Sequence, residues 1–238
     1  MTTLRSRRQP ALAALCLLTG LIAGSACART NLVAPQASAA ATRAAEMASC
    51  QPGERVTWPD GQDRPAAGRA VHLFYRHAGA PPSFDEATVV GTLQRAAAAW
   101  STCGVPAAVL PDSEAGLDPT TEVQVRWDSQ GTRGNFALAD LGRRQLWLSP
   151  AMFALLAQRN PRHPAIETLQ MAISHEMGHF FGLMAHSRRC IDVMSYYTDG
   201  QGGTCNTRDG GSHKAVVEYR ALLPTACDIA RCRAINGR

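Results

Sequence analysis

Between Pro164 and Gly182 the chain has room for one uninterrupted helix, and that helix has to meet two demands at once. Ile166, Leu169, Ile173, Met177 and Phe180 fall on one stripe at about 100° per residue, so that side needs a core against it. His175 and His179 fall on roughly the opposite side, one turn apart, with Glu176 on the flank. Two imidazoles one turn apart are what a tetrahedral zinc takes from a helix, and the adjacent glutamate can take a proton from a water activated there. A surface helix that merely holds two histidines is the plain alternative. Chance alone produces this spacing roughly 0.007 times in a chain of this composition, which disfavours it.

A catalytic zinc takes three protein ligands and a water, so the third must come from beyond the helix. Gly182 can adopt the left-handed conformation that turns a chain out of a helix, and His186 follows in the next loop. The run His-Glu-Met-Gly-His-Phe-Phe-Gly, with Met194 downstream, resembles the metzincin metalloproteases, whose pattern is HExxHxxGxxH followed by a Met-turn. The family's third histidine would fall at Ala185, one residue before His186. One added residue can displace a side chain by up to about 3.5 Å, against metal bonds of about 2.1 Å. It falls in a loop after a glycine, where a bulge can absorb it without rotating the helix. The leishmanolysin family tolerates a larger insertion at this point.

The resemblance implies an α+β metzincin-like (zincin) catalytic domain, with a twisted mixed sheet, two long helices and a small C-terminal subdomain. It implies a zinc endopeptidase in which His175, His179 and His186 hold Zn2+, Glu176 is the general base, and Met194 forms an apolar floor. Val193-Met194-Ser195-Tyr196 is similar to the serralysin Met-turn, which would put Tyr196 where it can stabilise an oxyanion. Cys190 and Cys205 bracket the Met-turn as in the snapalysins, which implies that they pair. The aspartate ligand of the snapalysins has no counterpart, because position 185 is alanine. The substrate would be a protein or peptide, paired with an edge strand at 136–141. Two alternatives stay open. The third ligand could be an acid, Asp192, Asp199 or Glu218, as in aspzincin-like or gluzincin-like sites; or the chain could be an inactive metal-binding interaction domain of the envelope.

The rest of the sequence bounds where such a site would work. Arg5, Arg7 and Arg8, then the apolar 11–23 and Ala26-Cys27-Ala28, read as a signal peptide over 1–28. Gly24-Ser25-Ala26-Cys27 also resembles a loose lipobox, and acylation of Cys27 would be the route to a membrane. Residues 29–69 are Ala-rich, then dense in Pro, Gly and Asp, and read as a linker or short prosegment, leaving 70–238 as the catalytic domain. Without the three leader arginines the formal charge falls from +5 to +2, which gives nucleic-acid binding no electrostatic support. Cys50, Cys103, Cys190, Cys205, Cys227 and Cys232 remain as three disulfides of an oxidising compartment, secreted or in the cell envelope. Cys50 lacks the motif of a thiolate switch and is expected to pair with Cys103. The Gly and Asp run at 199–211 offers oxygens to Ca2+, although a plain loop explains it as well. Strands are expected at 71–75, 123–127, 136–141 and 145–148, helices at 84–102, 151–158, 164–181 and 212–223, and the chain as a monomer.

Overall fold

The chain is described by a computed structural model of residues 39–238, apart from 113–115, 117 and 209–217, all within the unit Ala37–Arg238. The leader, Cys27 and residues 212–217 of the expected helix lie outside the described residues, while 218–223, the other half of that helix, are not helical.

Alternating apolar residues make the sheet. The strands are β1 (Val71–Tyr75), β2 (Ala107–Leu110), β3 (Glu122–Trp127), β4 (Ala137–Asp140) and β5 (Gln145–Leu148), in the order β2-β1-β3-β5-β4. All neighbours run parallel except β4, which pairs antiparallel with β5 and with no second strand among the described residues. Leu73, Val123, Val125, Leu146 and Leu148 are fully buried on this sheet. Against it pack α2 (Glu86–Ser101) and α4 (Ala165–Phe180). Asp85 starts α2 by accepting the Thr88 N–H at 2.7 Å. Trp100 is wholly buried and donates its indole N–H to Ser174 O at 2.9 Å, which fixes α2 against α4. A short helix, α3 (Pro150–Arg159), is capped by Ser149 and buries Phe153 among Phe84, Phe136 and Trp127.

Three expectations need correction. Order begins well before Ala70: α1 (Ala39–Ala48) is a helix whose Glu46 is buried and accepts the Arg208 N–H at 2.7 Å, and 50–68 packs against the body. Local composition reads this stretch as linker because its partners are remote in sequence. Next, the C-terminal helix is α5 (Ala226–Ile235), started by a capping box between Thr225 and Asp228. Cys103 pairs with Cys232 and Cys50 with Cys227, not with Cys103, while Cys190 pairs with Cys205. Two of those bonds tie α5 to the end of α2 and to the start of 50–68. The last third of the chain is therefore one body with the rest and not a small subdomain. Finally, α4 is buried on nearly every side, since His175 and Ser174 are covered as fully as Ile173. The segment 190–196 lies over the face that helical periodicity leaves open.

Candidate metal centre

Helix α4 delivers His175, Glu176 and His179, and Gly182, at φ +99°, turns the chain away so that His186 comes back to face them. The three rings form a nearly regular triangle, with centroids 5.3 Å (175 to 179), 5.1 Å (175 to 186) and 5.2 Å (179 to 186) apart. One ligand atom from each lies within 4.8 Å of the others. Two ligands of a tetrahedral shell with bonds of about 2.1 Å sit about 3.4 Å apart, so the rings need to close by little more than an ångström.

Each ring is held from behind. His175 Nδ1 is 2.7 Å from Val193 O, and His179 Nδ1 is 2.7 Å from Leu183 O. A carbonyl can only accept, so Nδ1 carries the proton in both rings and Nε2 offers a lone pair. His186 Nδ1 lies 2.7 Å from Asp60 Oδ2, which fixes the same tautomer, and its buried Nε2 has no hydrogen-bond partner among the described residues. Burial holds all three imidazoles below their ordinary pKa, aided at His175 and His179 by the neighbouring histidines and at His186 by Arg231 and Arg220, against the opposing pull of Asp60; His179 is pushed down to about 4. The lowered pKa favours the neutral form of each ring, the form that has a lone pair to offer. An orphaned buried nitrogen and three lone pairs converging on one point fit a zinc ion.

Glu176 flanks the triangle. Its Oε2 accepts the Ala139 N–H at 2.8 Å, and burial pushes its carboxyl up to about 8. That bond joins α4 to the edge strand β4 at the site. A cavity of about 510 Å³ opens there, walled by Phe136, Leu138, Met171, Tyr196 and Arg220. Tyr196 is half-exposed and stacks on His186. Met194 is fully buried beneath α4: a Cβ placed on Gly178 would meet its Sδ at 2.3 Å.

The other candidate donors are committed elsewhere. Asp192 accepts from Ser187 and Thr225, each at 2.6 Å, and faces Arg189. Glu218 grips the Arg220 guanidinium at 2.8 and 2.9 Å. Asp199 accepts two backbone N–H groups of its own loop, at Gln201 and Gly203, and the rest of the run offered to Ca2+ lies partly outside the described residues. Cys50, Glu54 and Cys227 also cluster, but the two sulfurs are bonded to each other and are not thiolates. Missing from the sequence reading are Asp60, the Ala139 N–H, Gly178 and Arg220. Gly178 alone had a local signal, a glycine inside a helix, which often marks close packing.

No family model and no curated protein matches the chain. Among solved structures it is similar to one titled the GM1 bound form of the ECX AB5 holotoxin, with 14% sequence identity, a TM-score of 0.45, and coverage of 79% of this chain and 92% of that one. The metzincin-like fold class expected from the motif is corrected: no family model matches, and the described residues form a small mixed sheet, ordered β2-β1-β3-β5-β4, with five helices. A histidine triad is a local arrangement that unrelated folds can host, so a short motif does not fix the class. Three disulfides fit an extracellular protein, and no helix among the described residues is long and apolar enough to cross a membrane.

Proposed function

We propose that this chain is an exported zinc-dependent endopeptidase, with His175, His179 and His186 as the ligands and Glu176 as the general base. The observation that carries the reading is the set of three Nδ1–H groups tied to fixed acceptors, which leaves one nitrogen of each ring to bind a metal, in a group whose ligand atoms lie within 4.8 Å of one another beside the Glu176 carboxyl. Zinc held there would supply a Lewis acid that polarises a carbonyl and brings the pKa of a water toward neutrality.

The chain's own groups do the rest. Glu176 takes the proton of the attacking water and later gives it to the leaving amine nitrogen. The Ala139 N–H steadies the carboxylate through Oε2 during both transfers. The outer edge of β4 beside the cavity, apart from the Ala139 N–H that Glu176 holds, would give an extended substrate backbone a strand to pair with, which favours a peptide over a small ester or amide. Tyr196, which lines the cavity, would be the donor to the oxyanion.

The test is metal content and hydrolysis of an unfolded protein. The purified chain should carry one zinc, cleave the substrate, and lose activity to a chelator. Glu176→Gln should keep the zinc and lose at least about a thousandfold in kcat. A chain that binds no zinc, or one whose Glu176→Gln variant still cleaves, ends this reading.

A further inference from the structure

The loop that carries His186 is held by a stretch far away in sequence. Residues 56–64 run antiparallel beside 182–188. Arg64 N–H donates to Gly182 O at 3.0 Å, Trp58 N–H to His186 O at 2.8 Å, and Arg188 N–H to Val56 O at 2.9 Å. Between those rungs two carboxylates replace the backbone partner. Asp63 Oδ1 accepts the N–H groups of Met184 and Ala185 at 2.9 and 3.0 Å, and Asp60 Oδ1 accepts that of His186 at 3.0 Å. The bulged loop has therefore kept its donors paired.

The fit is too close for either segment to move alone. A Cβ on Gly182 would lie 1.9 Å from Arg64 O, and one on Gly61 would lie 2.5 Å from Met184 O. Arg231, buried on α5, closes the far side: it donates to Asp63 Oδ2 at 2.7 Å and to Ala185 O at 2.8 Å. Asp60 itself takes both N–H groups of His186, backbone through Oδ1 and ring through Oδ2 at 2.7 Å. One carboxylate thus sets both where the residue sits and which way its ring faces.

We propose that Asp60 is the positioning residue of the third metal ligand, and that residues 56–64 are a permanent clasp of the metal centre, not a removable prosegment. This rests on the zinc reading above. A carboxylate behind a ligating imidazole orients the ring and raises its basicity, and losing one costs a site about 10- to 100-fold in metal affinity.

Asp60→Asn keeps the shape and removes the charge and one acceptor; Asp60→Ala removes everything. In the full disulfide-bonded chain, zinc affinity would be measured by competition with a chromophoric chelator, and the ligand field by the visible spectrum of the cobalt-substituted protein. Both variants should bind zinc about 10- to 100-fold more weakly than the parent chain, with altered cobalt bands and an unchanged near-ultraviolet circular dichroism of the metal-free form. Should the alanine variant fail to fold, the asparagine variant decides alone. Parent-like zinc affinity in Asp60→Asn overturns the proposal and leaves the zinc reading standing. Weaker zinc with unchanged cobalt bands also overturns it, since that is the mark of a residue that only packs. If the parent chain itself takes up neither metal, the zinc reading falls and this one with it.

Discussion

The ring of Tyr196 lies flat on that of His186, with centroids 3.7 Å apart and planes inclined by 13°. The contact gives the tyrosine two separable roles. Its ring shields one face of His186, and its hydroxyl, raised above the usual phenol pKa by burial, stays protonated and able to donate. Tyr196→Phe keeps the shield and removes the donor. Kinetics on a peptide should show kcat lower by about a hundredfold with KM and zinc affinity nearly unchanged. Tyr196→Ala should in addition weaken zinc, because His186 then faces water.

Gly178 sits between the two helical histidines because nothing larger fits. A Cβ there would meet Met194 Sδ at 2.3 Å and Trp100 Cζ2 at 2.8 Å. Trp100 cannot yield, since its indole is bonded to Ser174 O and its ring is stacked on Phe181. The strain would pass to Met194 and on to Val193, whose carbonyl holds His175. Gly178→Ala should cost about 1–3 kcal/mol, read as a fall in Tm of about 3–10 °C, and weaken zinc about tenfold. Helix propensity alone predicts the opposite sign, so calorimetry separates the two effects.

Asp228 is fully buried at the start of α5, where its Oδ2 accepts the N–H groups of Val193 and Thr225, both at 2.9 Å. Desolvation pushes its carboxyl up to about 7, with Asp192 nearby adding to the rise and Arg231 opposing it. The folded state therefore holds a proton that the unfolded state releases near 3.8. Its contribution is complete below that value and is lost as pH rises toward 7. Asp228→Asn removes this dependence. Urea unfolding at pH 5 and pH 8 should show the parent losing stability relative to the variant across that interval, by on the order of 2 kcal/mol.

The site is legible in the sequence where its parts are close together and hidden where they are not. His175, Glu176 and His179 follow from helical geometry alone, and Gly182 from the need for a left-handed residue. Asp60 meets His186 across 126 residues, and no periodicity in 50–68 marks it. The same holds for α1, whose Ala-rich run becomes a helix against the body because Arg43 reaches Arg220 O and Glu46 takes the Arg208 N–H. The helix α5 is different, since Thr225 and Asp228 spell its capping box in plain view. The motif's local strength did not extend to fold class, which is set by how remote segments pair.

Cys50 and Cys227, bonded across 177 residues, join the start of the 50–68 segment to the first turn of α5. Around the bond, Glu54 pairs with Arg208 at 2.7 Å and with Arg189 at 3.6 Å. Arg231, four residues beyond Cys227, holds Asp63 and so the loop of His186. The disulfide and the histidine triad are thus two ends of one connection. Replacing both cysteines by serine should cost about 2–5 kcal/mol, seen as a Tm lower by about 5–15 °C. The metal should then matter more. Excess zinc should recover part of the lost Tm in the double variant and slow proteolysis of residues 50–64, because a ligand that binds only the folded site draws the clasp closed by mass action. With His186→Ala added, zinc should give no such recovery.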